Sequence, residues 1–116
     1  MNNKPKITYD DFLKLELGVG VITSVEDVPD SRKLLKFSVD IGSETRTILG
    51  GFKKTYGDNK ESLVGRQVVV LANLESKEIA GSMSEGMILA ATGDHELPIF
   101  LTPETTDHTK AGSEVR

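Results

Sequence analysis

The sequence predicts an all-β fold, a small closed barrel, on three observations. Short runs rich in β-branched and apolar residues recur from Leu17 to Thr102, separated by glycine-containing or polar segments. One of them, Leu34 to Gly42, alternates over its middle, with Leu35, Phe37, Val39 and Ile41 on one face and Lys36, Ser38 and Asp40 on the other. Helix-like patterning is confined to a short N-terminal stretch and one internal connection, and many short strands with little helix suit a barrel. The chain has 116 residues. One domain spanning 1–116 therefore suffices, and it is large enough to bury most of its apolar surface without covalent staples.

In chain order, "TYDDFLKL" offers Thr8 as an N-cap, acids in the first turn and Phe12, Leu13 and Leu15 as an apolar face, which predicts one short helix. "LGVGVITSV" is β-branched and apolar, and its glycines point to a bulge or a close backbone approach. "LLKFSVDIG" and "TRTILGGF" pair across "GSE" as a hairpin. "KKTYGDNKESLVG" is polar and interrupted by Gly57, leaving room for a short helix around Lys60 to Val64. "RQVVVLANL", "SEGMILAAT" and the edge-like "ELPIFLT" complete the strands. Three strands, a helical connection and two further strands is the layout of the OB-fold, whose strand face and loops bind oligonucleotides; a β-sandwich serves the pattern nearly as well. Between the fourth and fifth strands lies a polar tract of about a dozen residues, far more than the two that a tight hairpin needs.

No cysteine is present, so disulfides, thiolate metal sites and cysteine nucleophiles are excluded. The N-terminus lacks a signal-like apolar core, and no apolar run approaches the roughly 20 residues that span a bilayer, so a cytoplasmic protein is expected. The net charge of −4 argues mildly against nucleic acid, but its distribution argues otherwise. Arg32 to Lys77 holds nine basic and five acidic residues, a local balance of +4, while the acid lies in the flanks.

Catalysis finds little support. "SMSEG" has Ser82 where a nucleophile elbow needs glycine, and His95 and His108 are the only histidines, in polar segments. Two histidines thirteen apart without cysteine match no zinc spacing, and "GSMSEGM" carries methionine where a phosphate loop needs lysine. No metal and no cofactor is expected. Aromatic content is 5%, too low for a row of base-stacking platforms, and Phe37 lies on the predicted core face.

Taken together, "DFLKLELGVGVI", "KLLKFSVDIG", "TILGGFKKTY", "LVGRQVVVLANL" and "GSMSEGMILAA" resemble the OB-fold tRNA-binding domain. That domain occurs at the C-terminus of many methionyl-tRNA synthetases, as free-standing structure-specific tRNA-binding proteins and in cytokine-like synthetase cofactors. The most specific pieces are "NL" followed seven residues later by Gly81 and then "SEGM", and "KLLK" followed by "VDIG". The resemblance implies a non-catalytic, structure-specific tRNA-binding module, a homodimer, with tRNA and an aminoacyl-tRNA synthetase as partners. Its implied RNA-facing residues are Lys33, Lys36, Lys53, Lys54, Asn73, Lys77, Ser82 and Ser84, with Gly81 and Gly86 permitting close approach. The chain departs from the family at Gly18, Glu78 and Ala80, each standing where the family carries a cation, and at Ser76, where it carries proline. A dimeric, chaperone-like protein-binding module of the same fold is the alternative. The apolar C-terminal residues Leu97, Ile99, Phe100 and Leu101 are the expected dimer contacts.

Overall fold

The computed structural model describes Met1 and residues 3–116. Helix α1 (Tyr9–Phe12) begins as the sequence predicts, with a reciprocal cap. The Asp11 N–H donates to the Thr8 hydroxyl at 3.1 Å, and the Thr8 N–H returns a bond to the Asp11 carboxylate at 3.4 Å. Lys14 pairs with the same carboxylate at 3.1 Å. The Lys14 ammonium and the Thr8 backbone N–H together hold the Asp11 carboxyl below its ordinary pKa.

Five strands form one antiparallel sheet in the order β3-β2-β1-β4-β7: β1 (Leu17–Asp27), β2 (Leu35–Asp40), β3 (Thr45–Gly50), β4 (Gln67–Leu71) and β7 (Met87–Ile88). β1 serves two neighbours. Its first half, Leu17 to Val21, pairs with β4, and after a shift of register between Ile22 and Ser24 its second half pairs with β2. The sheet curls until β3 meets the chain just ahead of β7, and this seam is closed largely by side chains. The Glu85 N–H donates to the Thr47 carbonyl at 2.7 Å. In return the Thr47 N–H donates to the Glu85 carboxylate at 3.2 Å, and the Leu49 N–H to the Ser84 hydroxyl at 3.0 Å. Arg46 crosses the same seam, donating to the carbonyls of Ala72 and Glu85. The result is a nearly closed five-stranded barrel.

The predicted alternation holds along β2, where Leu35, Phe37 and Val39 are completely buried, while Ile41, just past the strand, is only partly buried. They meet Ile22, Ile48, Leu63, Val68, Val70 and Ile88 in one core. The helical connection begins earlier than the sequence indicates. Helix α2 (Lys53–Tyr56) leads into a 3-10 turn at Gly57–Leu63, so the predicted stretch at 60–64 is only its tail. Tertiary packing accounts for this, because Phe52 and Leu63 are anchored in the core at the two ends of an otherwise polar segment.

"SEGMILAAT" is likewise not one strand. β7 stops at Ile88, and β8 (Ala90–Thr92) pairs instead with β9 (Pro98–Phe100). The polar tract before it holds its own hairpin, β5 (Lys77–Ile79) with β6 (Ser82–Ser84). Its two-residue turn has Ala80 at φ 50 and Gly81 at φ 84, the left-handed pair that matches strand twist. Beyond β9, Gln67 holds the carbonyls of Thr106 and Thr109. The chain then returns along the start of β1, where Val19 and Leu17 bond with Gly112, Ser113 and Val115. Of the apolar C-terminal residues, Phe100 folds onto its own barrel, stacked on Tyr56 at 4.3 Å and 4.8 Å from Phe52. Ile99 and Leu101 stay 41% exposed. Among the described residues no helix is long and apolar enough to cross a membrane.

Candidate nucleic-acid interface

Strand alternation builds the site. On β2 the core takes Phe37 and its neighbours, so Lys36 and Ser38 project from the outer face. Across the sheet Lys36 stands opposite Glu26 on β1 and Leu49 on β3, which places Leu49 on that same outer face. Leu49 is nevertheless only 6% exposed, because the β5–β6 hairpin lies over it, bonded to it through Ser84. In the hairpin Lys77 is paired with Ser84 and Ile79 with Ser82, while Glu78 pairs with Met83. Alternation therefore puts Lys77, Ile79, Ser82 and Ser84 toward the barrel, and Glu78 with Met83 away from it.

Between hairpin and barrel runs a cleft of about 440 Å³. Its lining includes Leu49, Gly50, Gly51, Phe52, Leu74, Lys77, Ile79 and Met87. Lys53 and Lys54 follow Phe52 in the chain. The Lys53 N–H donates to the Lys33 carbonyl at 3.0 Å, which holds the two segments side by side. Lys33, Lys54 and Lys77 are exposed. Lys53 is half-committed: its ammonium donates to the Ser31 carbonyl at 3.0 Å and lies 3.8 Å from Asp27. Asp27 also reaches Lys60 at 3.4 Å and, with Glu61, raises the Lys60 pKa.

Two of the residues expected to face RNA have their polar atoms taken by the fold. Ser84 is 5% exposed, and its hydroxyl accepts from Leu49 while lying 3.5 Å from the Gly86 carbonyl, so it is a seam residue rather than a free donor. Asn73 is exposed, yet its amide donates to the Lys14 carbonyl at 2.6 Å and accepts from the Glu16 N–H at 2.8 Å. It ties the segment before β1 to the end of β4. Gly86, at φ 131, is required by the seam: a Cβ there would stand 3.0 Å from the Leu71 carbonyl. Gly51 is different: among the described residues, its chain neighbours aside, no atom lies within 4 Å of where a Cβ would stand.

The sequence reading did not find the apolar lining of the cleft. Leu49 was legible by its spacing from Ile48, which the alternation of β3 turns inward. Leu74, Ile79 and Met87 sit among polar neighbours, and only the hairpin brings them together.

Residues 17–113 match a family model described as "Putative tRNA binding domain". The chain is 46% identical over 110 residues to a methionine–tRNA ligase of Pyrococcus abyssi, covering 95% of this chain and 14% of that protein. It is 41% identical over 114 residues to the methionine–tRNA ligase of Bacteroides fragilis, covering 97% and 16%. It thus spans about a sixth of the length of those relatives. Among solved structures, a MetRS-related protein from Pyrococcus horikoshii superposes with a TM-score of 0.86 at 26% identity, covering 97% of this chain and 100% of that one. The chaperone CsaA from Bacillus anthracis superposes with 0.84 at 26%, with the same coverage.

Proposed function

The chain belongs to the tRNA-binding domain family, and from that premise we propose that it is a structure-specific tRNA-binding module that holds tRNA by its shape and backbone. It works as a free-standing protein or as the C-terminal appendage of a methionyl-tRNA synthetase, serving protein biosynthesis in the cytoplasm. The family is one of binding domains, not catalysts. The observation that carries the backbone reading is the fate of the aromatic rings. Phe37, Phe52, Tyr56 and Phe100 pack on one another, and the exposed Tyr9 stands on helix α1 outside the cleft lining, so the cleft presents lysines rather than stacking platforms.

The contacts proposed are Lys33, Lys36, Lys54 and Lys77, with Lys53 and Ser82 beside them. Asn73 and Ser84 position the interface without touching RNA. The test is the triple variant Lys33→Ala, Lys54→Ala, Lys77→Ala titrated with total tRNA. Each lost phosphate contact flattens the dependence of log affinity on log salt by somewhat under one unit. An unchanged slope would remove these lysines from the interface.

A protein-binding role is the second reading, favoured by one observation: the cleft is lined by partly exposed apolar side chains, the kind of surface that also takes a protein partner. In either role we propose a homodimer, with Ile99 of β9 and Leu101 just after it as contacts.

A further inference from the structure

We propose that the cleft beneath the β5–β6 hairpin seats one unstacked nucleobase of the bound RNA, a base carrying an exocyclic amine. The inference rests on the tRNA-binding reading and adds to it a contact with a base, where that reading invokes only shape and backbone.

The cleft is an apolar slot in a charged surface. Leu49 forms its floor, Ile79 lines the hairpin side and Met87 the barrel side, and Leu74 also lines it. Leu74 and Met87 are 43% and 47% exposed, so the slot offers apolar surface that the protein itself does not cover. Its surroundings define the rest of the ligand. Lys77 stands in the lining, Lys54 comes two residues after Phe52 of the lining, and Lys33 is tied to that segment through the Lys53 N–H. At Gly51 nothing approaches the position of a Cβ, which leaves the backbone open to a sugar and phosphate.

An aliphatic peptide would fill the slot but make no use of the cations beside it. A nucleotide uses both, placing the faces of its base against aliphatic side chains and its flanking phosphates among the lysines. Among the described residues the one aromatic in its lining is the buried Phe52, so nothing there continues the slot for a second stacked base. Glu75 also lines the cleft. A carboxylate is unfavourable beside phosphate, but it accepts a hydrogen bond from the exocyclic amine of cytosine, adenine or guanine, a donor that uracil lacks, uracil offering only its ring N3–H. The apolar contact adds affinity, and Glu75 adds the preference against uracil.

The test has two arms. The unmodified protein is titrated with an otherwise abasic tetranucleotide carrying a single cytosine, the same tetranucleotide with no base, and the same with a single uracil; separately, the double variant Leu74→Ala, Met87→Ala is titrated with total tRNA. Both positions are half-exposed, and the denaturation midpoint confirms that the variant folds. The cytidine form should bind several-fold more tightly than the other two. The variant should bind tRNA about tenfold more weakly, the scale of losing one seated base, with its salt dependence unchanged because no charge is removed. Equal tRNA affinity of variant and unmodified protein, or no distinction among the tetranucleotides, overturns the base site while leaving tRNA binding in place. Failure of the unmodified protein to bind tRNA overturns the reading beneath it. Binding of a leucine-rich octapeptide that the double variant abolishes, with no tetranucleotide bound, assigns the cleft to protein instead.

Discussion

At Leu49 a buried N–H depends on a single side-chain oxygen, the Ser84 hydroxyl. Ser84→Ala leaves that donor without a partner, and an orphaned buried group costs about 1–3 kcal/mol. A lower denaturation midpoint, with tRNA affinity of the folded protein unchanged, is the expected result. Loss of tRNA affinity without loss of stability would return Ser84 to the RNA surface. Lys77→Ala should do the opposite, sparing stability and weakening tRNA binding, since an exposed lysine holds nothing in the fold. The three positions where the chain lacks the family's cations are not equivalent. The Cβ direction at Gly18 leads toward the Ser113 carbonyl, 3.4 Å away, and into a pocket that also holds Glu16 and Glu114. An arginine there meets two carboxylates. Glu78 is exposed on the far face of the hairpin, and Glu78→Lys both removes a negative charge and adds a positive one. Binding titrations of the three single variants should therefore rank Glu78→Lys above Ala80→Arg and Gly18→Arg, with Gly18→Arg smallest. A dominant gain from Gly18→Arg would contradict this placement.

At the scale of elements, the β5–β6 hairpin carries a strain that can be relieved. Ala80 occupies the left-handed region, which costs a non-glycine residue roughly 1–2 kcal/mol. Ala80→Gly should recover part of that cost, raising the denaturation midpoint, whereas Ala80→Arg should leave it unchanged because the strain is already present. Helix α1 is the acid-sensitive element. A carboxyl whose folded pKa is lowered contributes stability above its unfolded pKa, near 4, and that contribution disappears as pH falls through the folded value. Amide exchange at Tyr9 to Phe12 should accelerate beyond its intrinsic pH trend below about pH 4, and Asp11→Asn should abolish the transition. The cap was legible in the sequence because Thr8 and Asp11 are three residues apart and need no distant partner. β2 was legible for a related reason, since alternation records which face is buried. The hairpin was not: Ala80 is not a residue that marks a left-handed turn, and Lys77, Glu78 and Ser82 carry no strand pattern. The extent of the helical connection was hidden because its anchors, Phe52 and Leu63, lie at the ends of a polar segment. At the site, the lysines were visible as charge, but the commitments of Asn73 and Ser84 depend on partners 59 and 35 residues away.

For the whole molecule, the return of the C-terminal segment along β1 and the packing of Phe100 on its own barrel leave Ile99 of β9 and Leu101 just after it open to a partner. Light scattering should find a dimer at micromolar concentration, and Ile99→Asp should shift it to monomer; a monomeric unmodified protein would rule the contact out. Two subunits would present two lysine-bordered clefts to one tRNA. With a net charge of −4, binding must come from the local arrangement of cations and not from the overall field. The most direct measurement is a titration of the unmodified protein with total tRNA and with duplex DNA across a series of salt concentrations. Preferential binding of tRNA, weakening steadily as salt rises, is the predicted result, because the lysines at 33, 54 and 77 release counterions while the preference comes from the shape of the RNA. Equal binding of tRNA and DNA, or no tRNA binding even at low salt, would contradict a structure-specific tRNA-binding module.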